Sequence, residues 1–291
     1  MRVLIFGAGF SGRAIGRRFA QAGVPVSGTT RSAEKFAALE RNGIAPFLFD
    51  GTVSDALTAE LAQTTHLILS AAPDASGDPV LNAAGELLRD GMPALQWIGY
   101  LSTVGVYGDR DGGWVQEDDT RDPTSTRGLQ RVAAEQEWTA FGAARGVPVA
   151  LLRLAGIYGP GRNTFLNLEE GKAKRVIKPG QVFNRIHVAD IAGATELLAR
   201  DCIGGAFNIA DDEPGPPQDV VSFAADLLGV EPPPEIAFEE ADMSPMARSF
   251  YGDNKRVSNA KLRKAGYQFR YPNYRVALEA MMQAGNWRDA G

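Results

Sequence analysis

Six residues near the amino end constrain this chain more than any other feature: Gly7-Ala8-Gly9-Phe10-Ser11-Gly12, set between an apolar run and a helical pattern. Arg2-Val3-Leu4-Ile5-Phe6 reads as a short buried strand. Behind the glycines, Ile15, Phe19 and Ala22 share one helical face until Gly23 stops it. Val24-Pro25-Val26-Ser27-Gly28-Thr29-Thr30 then reads as a second strand. Strand, glycine turn, helix, strand is the context in which G-x-G-x-x-G carries meaning. Gly7 takes the tight turn. Gly9 leaves bare backbone for a pyrophosphate, and Gly12 lets the helix pack close to the strand. The helix's orphan N–H groups and positive dipole end, with Phe10 and Ser11 in its first turn, then face the phosphates.

The end of the second strand selects the dinucleotide. An NAD site usually carries Asp or Glu there, to accept from the ribose 2′-hydroxyl. This chain offers Thr29, Thr30 and Arg31, and its nearest acid is Glu34. Nothing there repels a 2′-phosphate, and the planar fork of Arg31 can pair with one. NADP(H) is therefore expected in preference to NAD(H), with Thr30 and Arg31 at its ribose.

Farther along, strands and helices alternate. Ala45-Pro46-Phe47-Leu48-Phe49 reads as a third strand ending at Asp50, an acid placed either to meet an adenine amino group or to cap the next helix. His66-Leu67-Ile68-Leu69-Ser70 is a near-continuous apolar strand of the kind buried on both faces. It opens into Ala71 and Ala72, small enough to leave room for a ligand beside Ser70. Helices over Val80 to Arg89 and Leu129 to Phe141 separate further strands at Leu95 to Leu101 and Val149 to Leu154. The pattern predicts an α/β fold, a Rossmann-type doubly wound parallel sheet with right-handed crossovers. Beyond Gly161 the loops lengthen and prolines cluster. A dinucleotide-binding domain over 1–165, rejoined by 186–212, is expected beside a smaller C-terminal α+β substrate region made of 166–185 and 213–291, with the ligand cleft between them.

Composition narrows the partners. A net charge of −5 over 291 residues excludes a general nucleic-acid binder, and no run is apolar enough for a membrane span or signal peptide. One cysteine, Cys202, permits no internal disulfide and suits a reducing, cytoplasmic setting. Two distant histidines, His66 and His187, make a His/Cys metal site unexpected. Asp211-Asp212-Glu213 reads as a solvated loop, and His187 as a packed or capping residue. Lys172, Lys174 and Arg175 read as a solvated face. Arg248, Lys255 and Arg256, with Tyr251 among them, are candidates to receive an anionic group.

Several further motifs occur in a shared order. They are Ser102-Thr103-Val104-Gly105-Val106-Tyr107-Gly108, Glu117-Asp118-Asp119 with Pro123-Thr124-Ser125, Arg153 to Gly161 ending in Tyr-Gly-Pro-Gly, Ile186-His187-Val188-Ala189-Asp190, Ala206-Phe207-Asn208-Ile209-Ala210, and Asn259-Ala260-Lys261-Leu262 with Gly266-Tyr267. With the opening glycines, the chain resembles an extended short-chain dehydrogenase/reductase of the epimerase/dehydratase type over nearly its whole length. The resemblance implies a bound dinucleotide, a C-terminal substrate domain and a catalytic Ser/Thr, Tyr and Lys. It also implies a homodimer through two helices, here Val80 to Arg89 and Leu129 to Phe141.

Thr103 falls at the family's Ser/Thr, where a hydroxyl can bond a substrate oxygen or simply cap the following turn. The family's Tyr-x-x-x-Lys should follow Pro123-Thr124-Ser125, and here the residues are Arg127-Gly128-Leu129-Gln130-Arg131. The chain resembles an atypical member. Arginine has no lone pair and stays protonated, so Arg127 cannot exchange a proton as the tyrosine would. Arg131, one turn on, can still donate to ribose hydroxyls. Tyr107 and Tyr158 are alternative phenols. Two functions follow: an NADP(H)-linked oxidoreductase or epimerase acting on a small polar substrate, with Thr103 polarising its oxygen, or an inactive NADP(H)-holding redox sensor.

Overall fold

The computed structural model describes residues 1–289. Seven strands form its centre: β1 (Val3–Phe6), β2 (Val26–Thr30), β3 (Ala45–Leu48), β4 (His66–Leu69), β5 (Trp97–Thr103), β6 (Val149–Leu154) and β7 (Gly205–Ile209). All pair in parallel, side by side as β7-β6-β5-β4-β1-β2-β3. The sequence runs outward in both directions from β1, so the reversal falls between β1 and β4, the place where such sheets open a crevice at their carboxyl ends.

Both faces of the sheet are covered, which is why its strands read as unbroken apolar runs. Val3 and Ile5 point to one side, into a core shared with Ile15 and Phe19 of α1 (Phe10–Gln21) and with Ile191 and Leu198. Leu4 and Phe6 point to the other, where Leu57, Leu61, Val80, Leu88 and Trp138 meet them. Between β2 and β3 lies α2 (Phe36–Glu40). The helices of the second face are α3 (Asp55–Gln63), α4 (Pro79–Asp90) and α5 (Thr126–Arg145). Asp78 caps α4 and accepts from Trp138 Nε1 at 3.0 Å, which pins α5 beside it.

Helix α5 is longer than its apolar pattern announced, because Ser125 caps its start and Gly146, at φ +65°, closes its end. Leu129, the expected first residue of the helix, is 58% exposed.

The carboxyl side of the sheet carries the rest. After α6 (Thr164–Glu169), the pair Gly156–Tyr158 with Arg185–His187 leads into α7 (Val188–Arg200), and the chain then returns as β7. The final stretch adds α8 (Pro217–Leu228), α9 (Pro245–Ser249), α10 (Ala260–Lys264) and α11 (Tyr274–Ala284). A separate apolar cluster of Phe165, Val220, Tyr274, Leu278 and Trp287 holds α6, α8 and α11 together. Among the described residues no helix is long and apolar enough to cross a membrane.

Candidate functional site

The loop after β1 takes the shape its glycines permit. Gly7 has φ +81°, and a Cβ there would stand 2.9 Å from the Ala71 nitrogen, against main chain. A Cβ on Gly12 would sit 3.0 Å from the Gly7 oxygen and 3.3 Å from Ile5 Cγ2, so Gly12 serves close helix–strand packing. Gly9 differs. Its φ of −79° is open to any residue, and only the Gly7 oxygen, at 3.9 Å, lies near the place of an added Cβ. That clear space is a cradle over bare backbone. No side chain caps α1 at Gly9, which leaves its first-turn N–H groups, those of Phe10, Ser11 and Gly12, to a ligand. A dinucleotide's diphosphate fits such a cradle.

The neighbouring strand ends are stitched to this loop. Gly7 N donates to Thr29 Oγ1 at 3.0 Å, and Ala8 N donates to Thr29 O at 2.8 Å. Thr29 is therefore scaffold, while Thr30 is buried beside it and Arg31 is exposed at the end of β2. Asp50 is also exposed, and its carboxylate accepts from Thr52 N at 3.1 Å. It does not cap α3, because Ser54 takes that position and accepts from Leu57 N. Ser70 follows β4 with its N–H bonded to Phe6 O at 2.8 Å, and Ala71 stands against Gly7. Ala72 continues outward, exposed.

A cleft of ≈ 890 Å³ opens beyond these strand ends. Ser11, Ser70, Thr103, Arg127 and Arg131 all line it, so five of the anticipated residues share one wall. Thr103 Oγ1 accepts from Gly105 N at 3.1 Å, capping the short turn Val104–Tyr107, and its own proton stays available. Arg131 Nη1 donates to Leu101 O at 2.6 Å and to Tyr100 Oη at 3.2 Å. Those bonds hold its guanidinium against the end of β5. Arg127 is exposed at the rim.

Tyr107 is not a cleft residue. It is fully buried, donates to Asn208 Oδ1 at 2.7 Å and accepts from Arg153 Nη1 at 2.8 Å. Burial pushes its phenol up to about 12, with Arg153 opposing. Tyr158 does line the cleft, but its hydroxyl is buried without a partner, and burial, reinforced by Asp211, drives it far above the usual phenol range. Neither phenol is tuned for proton exchange near neutral pH.

Of the four residues expected to receive an anion, only Lys255 lines the cleft. Arg248 lies over the Phe238 ring and donates to Ala241 O, Arg256 donates to Gly112 O, and Tyr251 packs between Phe183 and Phe238. Sequence reading missed Arg162 and Arg185. Arg162 directly follows the Tyr-Gly-Pro-Gly turn and places its guanidinium 5.8 Å from the centre of the Phe10 ring, over the start of α1. Position beside that turn was the available signal. Arg185 donates to Phe183 O and Gly215 O, and no local pattern marks it. The wall thus carries Arg127, Arg131, Arg162, Arg185 and Lys255 against a single lining acid, Asp253.

The loop at 211–213 is not uniformly solvated. Asp211 is 2% exposed, one carboxylate oxygen lacks a partner, and burial raises it to about 8, whereas Asp212 and Glu213 pair with Arg263 and Arg275. The fold forces this, since Asp211 N must bond Arg185 O where β7 meets the second layer. His187 caps α7, accepting from Ala189 N at 3.2 Å, and burial, with Arg270 nearby, lowers it to about 3.

Comparison with known proteins agrees with this geometry. Residues 3–210 match the NAD-dependent epimerase/dehydratase family. Protein YeeZ of Escherichia coli K12 is 29% identical over 286 residues, covering 94% of this chain and 97% of its own. A functionally unknown conserved protein from Silicibacter pomeroyi superposes with a TM-score of 0.89 at 45% identity, over 98% of this chain and 99% of the other. The UDP-glucose 4-epimerase of Thermus thermophilus, solved in complex with NAD, shares the fold at a TM-score of 0.76 and 21% identity, over the whole of both chains. The chain belongs to the NAD-dependent epimerase/dehydratase family.

Proposed function

We infer that this protein binds NADP(H) in preference to NAD(H) and carries out an oxidoreduction or epimerisation on a small polar substrate bearing a carboxylate or phosphate. The observation that carries the reading is the junction of the Gly9 cradle with the cationic cleft at the β1/β4 reversal. When bound, the nicotinamide would supply or take up hydride. The chain's own residues would do the rest. The α1 amides and Arg162 would hold the diphosphate. Thr103 would donate to the substrate oxygen, and the cleft cations would hold the substrate's negative group. Arg31, free of acidic competition at the end of β2, would meet the 2′-phosphate.

Calorimetric titration with NADPH and NADH tests this. Binding of NADPH at least tenfold tighter is expected. Arg31→Glu should remove that preference by weakening NADPH alone, since one lost charge-assisted pair and one added repulsion act only on the 2′-phosphate. Equal weakening of both would overturn the assignment of Arg31. Failure of both to bind the unaltered protein would overturn the functional reading itself.

A second reading, a dinucleotide-holding sensor without turnover, draws on the arginines at 127 and 131, neither of which can accept a proton. Tight NADPH binding with no oxidation of it across a broad panel of carbonyl compounds would favour the sensor.

A further inference from the structure

The cleft contains a lysine suited to the proton transfer that an arginine cannot perform. Lys255 is 5% exposed, yet it forms part of the cleft wall. Its ammonium donates to Gly108 O at 2.7 Å and to Asp253 Oδ2 at 3.3 Å, which accounts for two of three N–H bonds. The other Asp253 oxygen accepts from Thr124 Oγ1 at 2.7 Å. Thr124 is in the loop that enters α5, one residue before the capping Ser125 and three before Arg127. The segment at 253–255 is thus bound to two pieces of chain, Gly108 after the short turn that follows β5 and Thr124 in the loop that enters α5. A Cβ on Gly108 would stand against the Asp122 carbonyl, so those two pieces are themselves in contact.

We propose that Lys255 is the acid/base of this site, reaching a substrate oxygen from the C-terminal region, with Asp253 and Thr124 as positioning residues. The proposal rests on the oxidoreductase or epimerase reading above. A bound reduced dinucleotide would supply hydride to a carbonyl carbon, and the π pair would pass to its oxygen. That oxygen bonds the third ammonium proton, and the N–H pair stays on nitrogen as a neutral amine. Water entering after product departure returns the proton. Oxidation runs the same transfers backwards. Burial lowers the Lys255 ammonium below the usual lysine range, with Asp253 and Asp109 opposing and Arg110 assisting.

Competitive acetylation of the full chain with acetic anhydride across pH, read lysine by lysine by mass spectrometry, tests the assignment without a substrate. Lys255 should titrate below the usual lysine range. Asp253→Asn should lower its midpoint further, because the Asp253 carboxylate opposes the effect of burial. Saturating NADPH should slow its labelling about tenfold relative to Lys264, since the reacting end of the cleft is then covered. Titration in the usual lysine range, or labelling indifferent to bound NADPH, would overturn the role of Lys255 while leaving the cofactor reading intact. Absence of calorimetric NADPH binding would instead remove the reading beneath it, and the proposal with it.

Discussion

Gly7 and Gly9 stand two positions apart and serve different ends. At Gly7 the backbone itself demands glycine, through a positive φ and main chain 2.9 Å from any Cβ. At Gly9 the φ of −79° needs no glycine, and only the Gly7 oxygen, at 3.9 Å, lies near an added Cβ. Gly9→Val should therefore fold with a denaturation midpoint near that of the parent, within about 1 kcal/mol, while losing dinucleotide affinity at least a hundredfold. Loss of fold and binding together would mean that the cradle at Gly9 is structural. A motif that reads as one unit separates, in the structure, into a fold requirement and a ligand requirement.

Helix α5 owes its place to charge as well as to apolar packing. Glu135, fully buried on its inner face, accepts from Ser102 Oγ at 2.6 Å, from Arg153 Nε and Nη2 at 3.1 and 2.9 Å, and from Arg121 Nη1 at 3.1 Å. Arg153 also donates to Tyr107 Oη and to Glu117 O. One buried pair thereby ties α5 to β5, β6 and the turn after Thr103, and so fixes the cleft wall that carries Arg127 and Arg131. Arg153→Met should destabilise by about 3–5 kcal/mol, because it leaves a buried carboxylate with only Arg121 and Ser102. Arg153→Met with Glu135→Leu should recover much of that loss in urea unfolding. No recovery would show that the network does not behave as a pair. The sequence showed Arg153 only as part of a family-like string. Its role as an internal strut appears once β5, β6 and α5 are brought together.

The two layers of the molecule join over buried polar groups, and this makes stability depend on pH. Asp190, at the start of α7, accepts from Tyr267 Oη, Arg270 N and Tyr271 N, fastening the C-terminal stretch to the helix under the sheet. Asp211, nearby at the end of β7, is raised to about 8 by burial. Below about pH 4 both folded and unfolded chains hold its proton. From there to about pH 8 the unfolded chain ionises while the folded one does not, so stability falls as pH rises and then levels off. Asp211→Asn cannot ionise. Its advantage over the parent should be negligible at pH 4 and should grow, on the order of a few kcal/mol, by pH 8. A constant difference across that range in urea unfolding would mean that Asp211 is ionised in the folded protein.

The parallel sheet, its helical covering and the glycine loop were legible in the order of residues because each rests on local rules: a short unbroken apolar run, a helical period, a backbone angle that glycine alone tolerates. Thr103, Arg127 and Arg131 were legible as candidates by their place beside such motifs. The pairing of Lys255 with Gly108, the burial of Asp211 and the arrival of Arg162 over Phe10 were not. They join positions tens to more than a hundred residues apart, and their chemistry depends on how much water and how many charges the packed chain leaves around them. Periodicity specifies which face of an element is buried. Only the assembled layers decide which polar groups are buried with it, and so which of them can hold a ligand or move a proton.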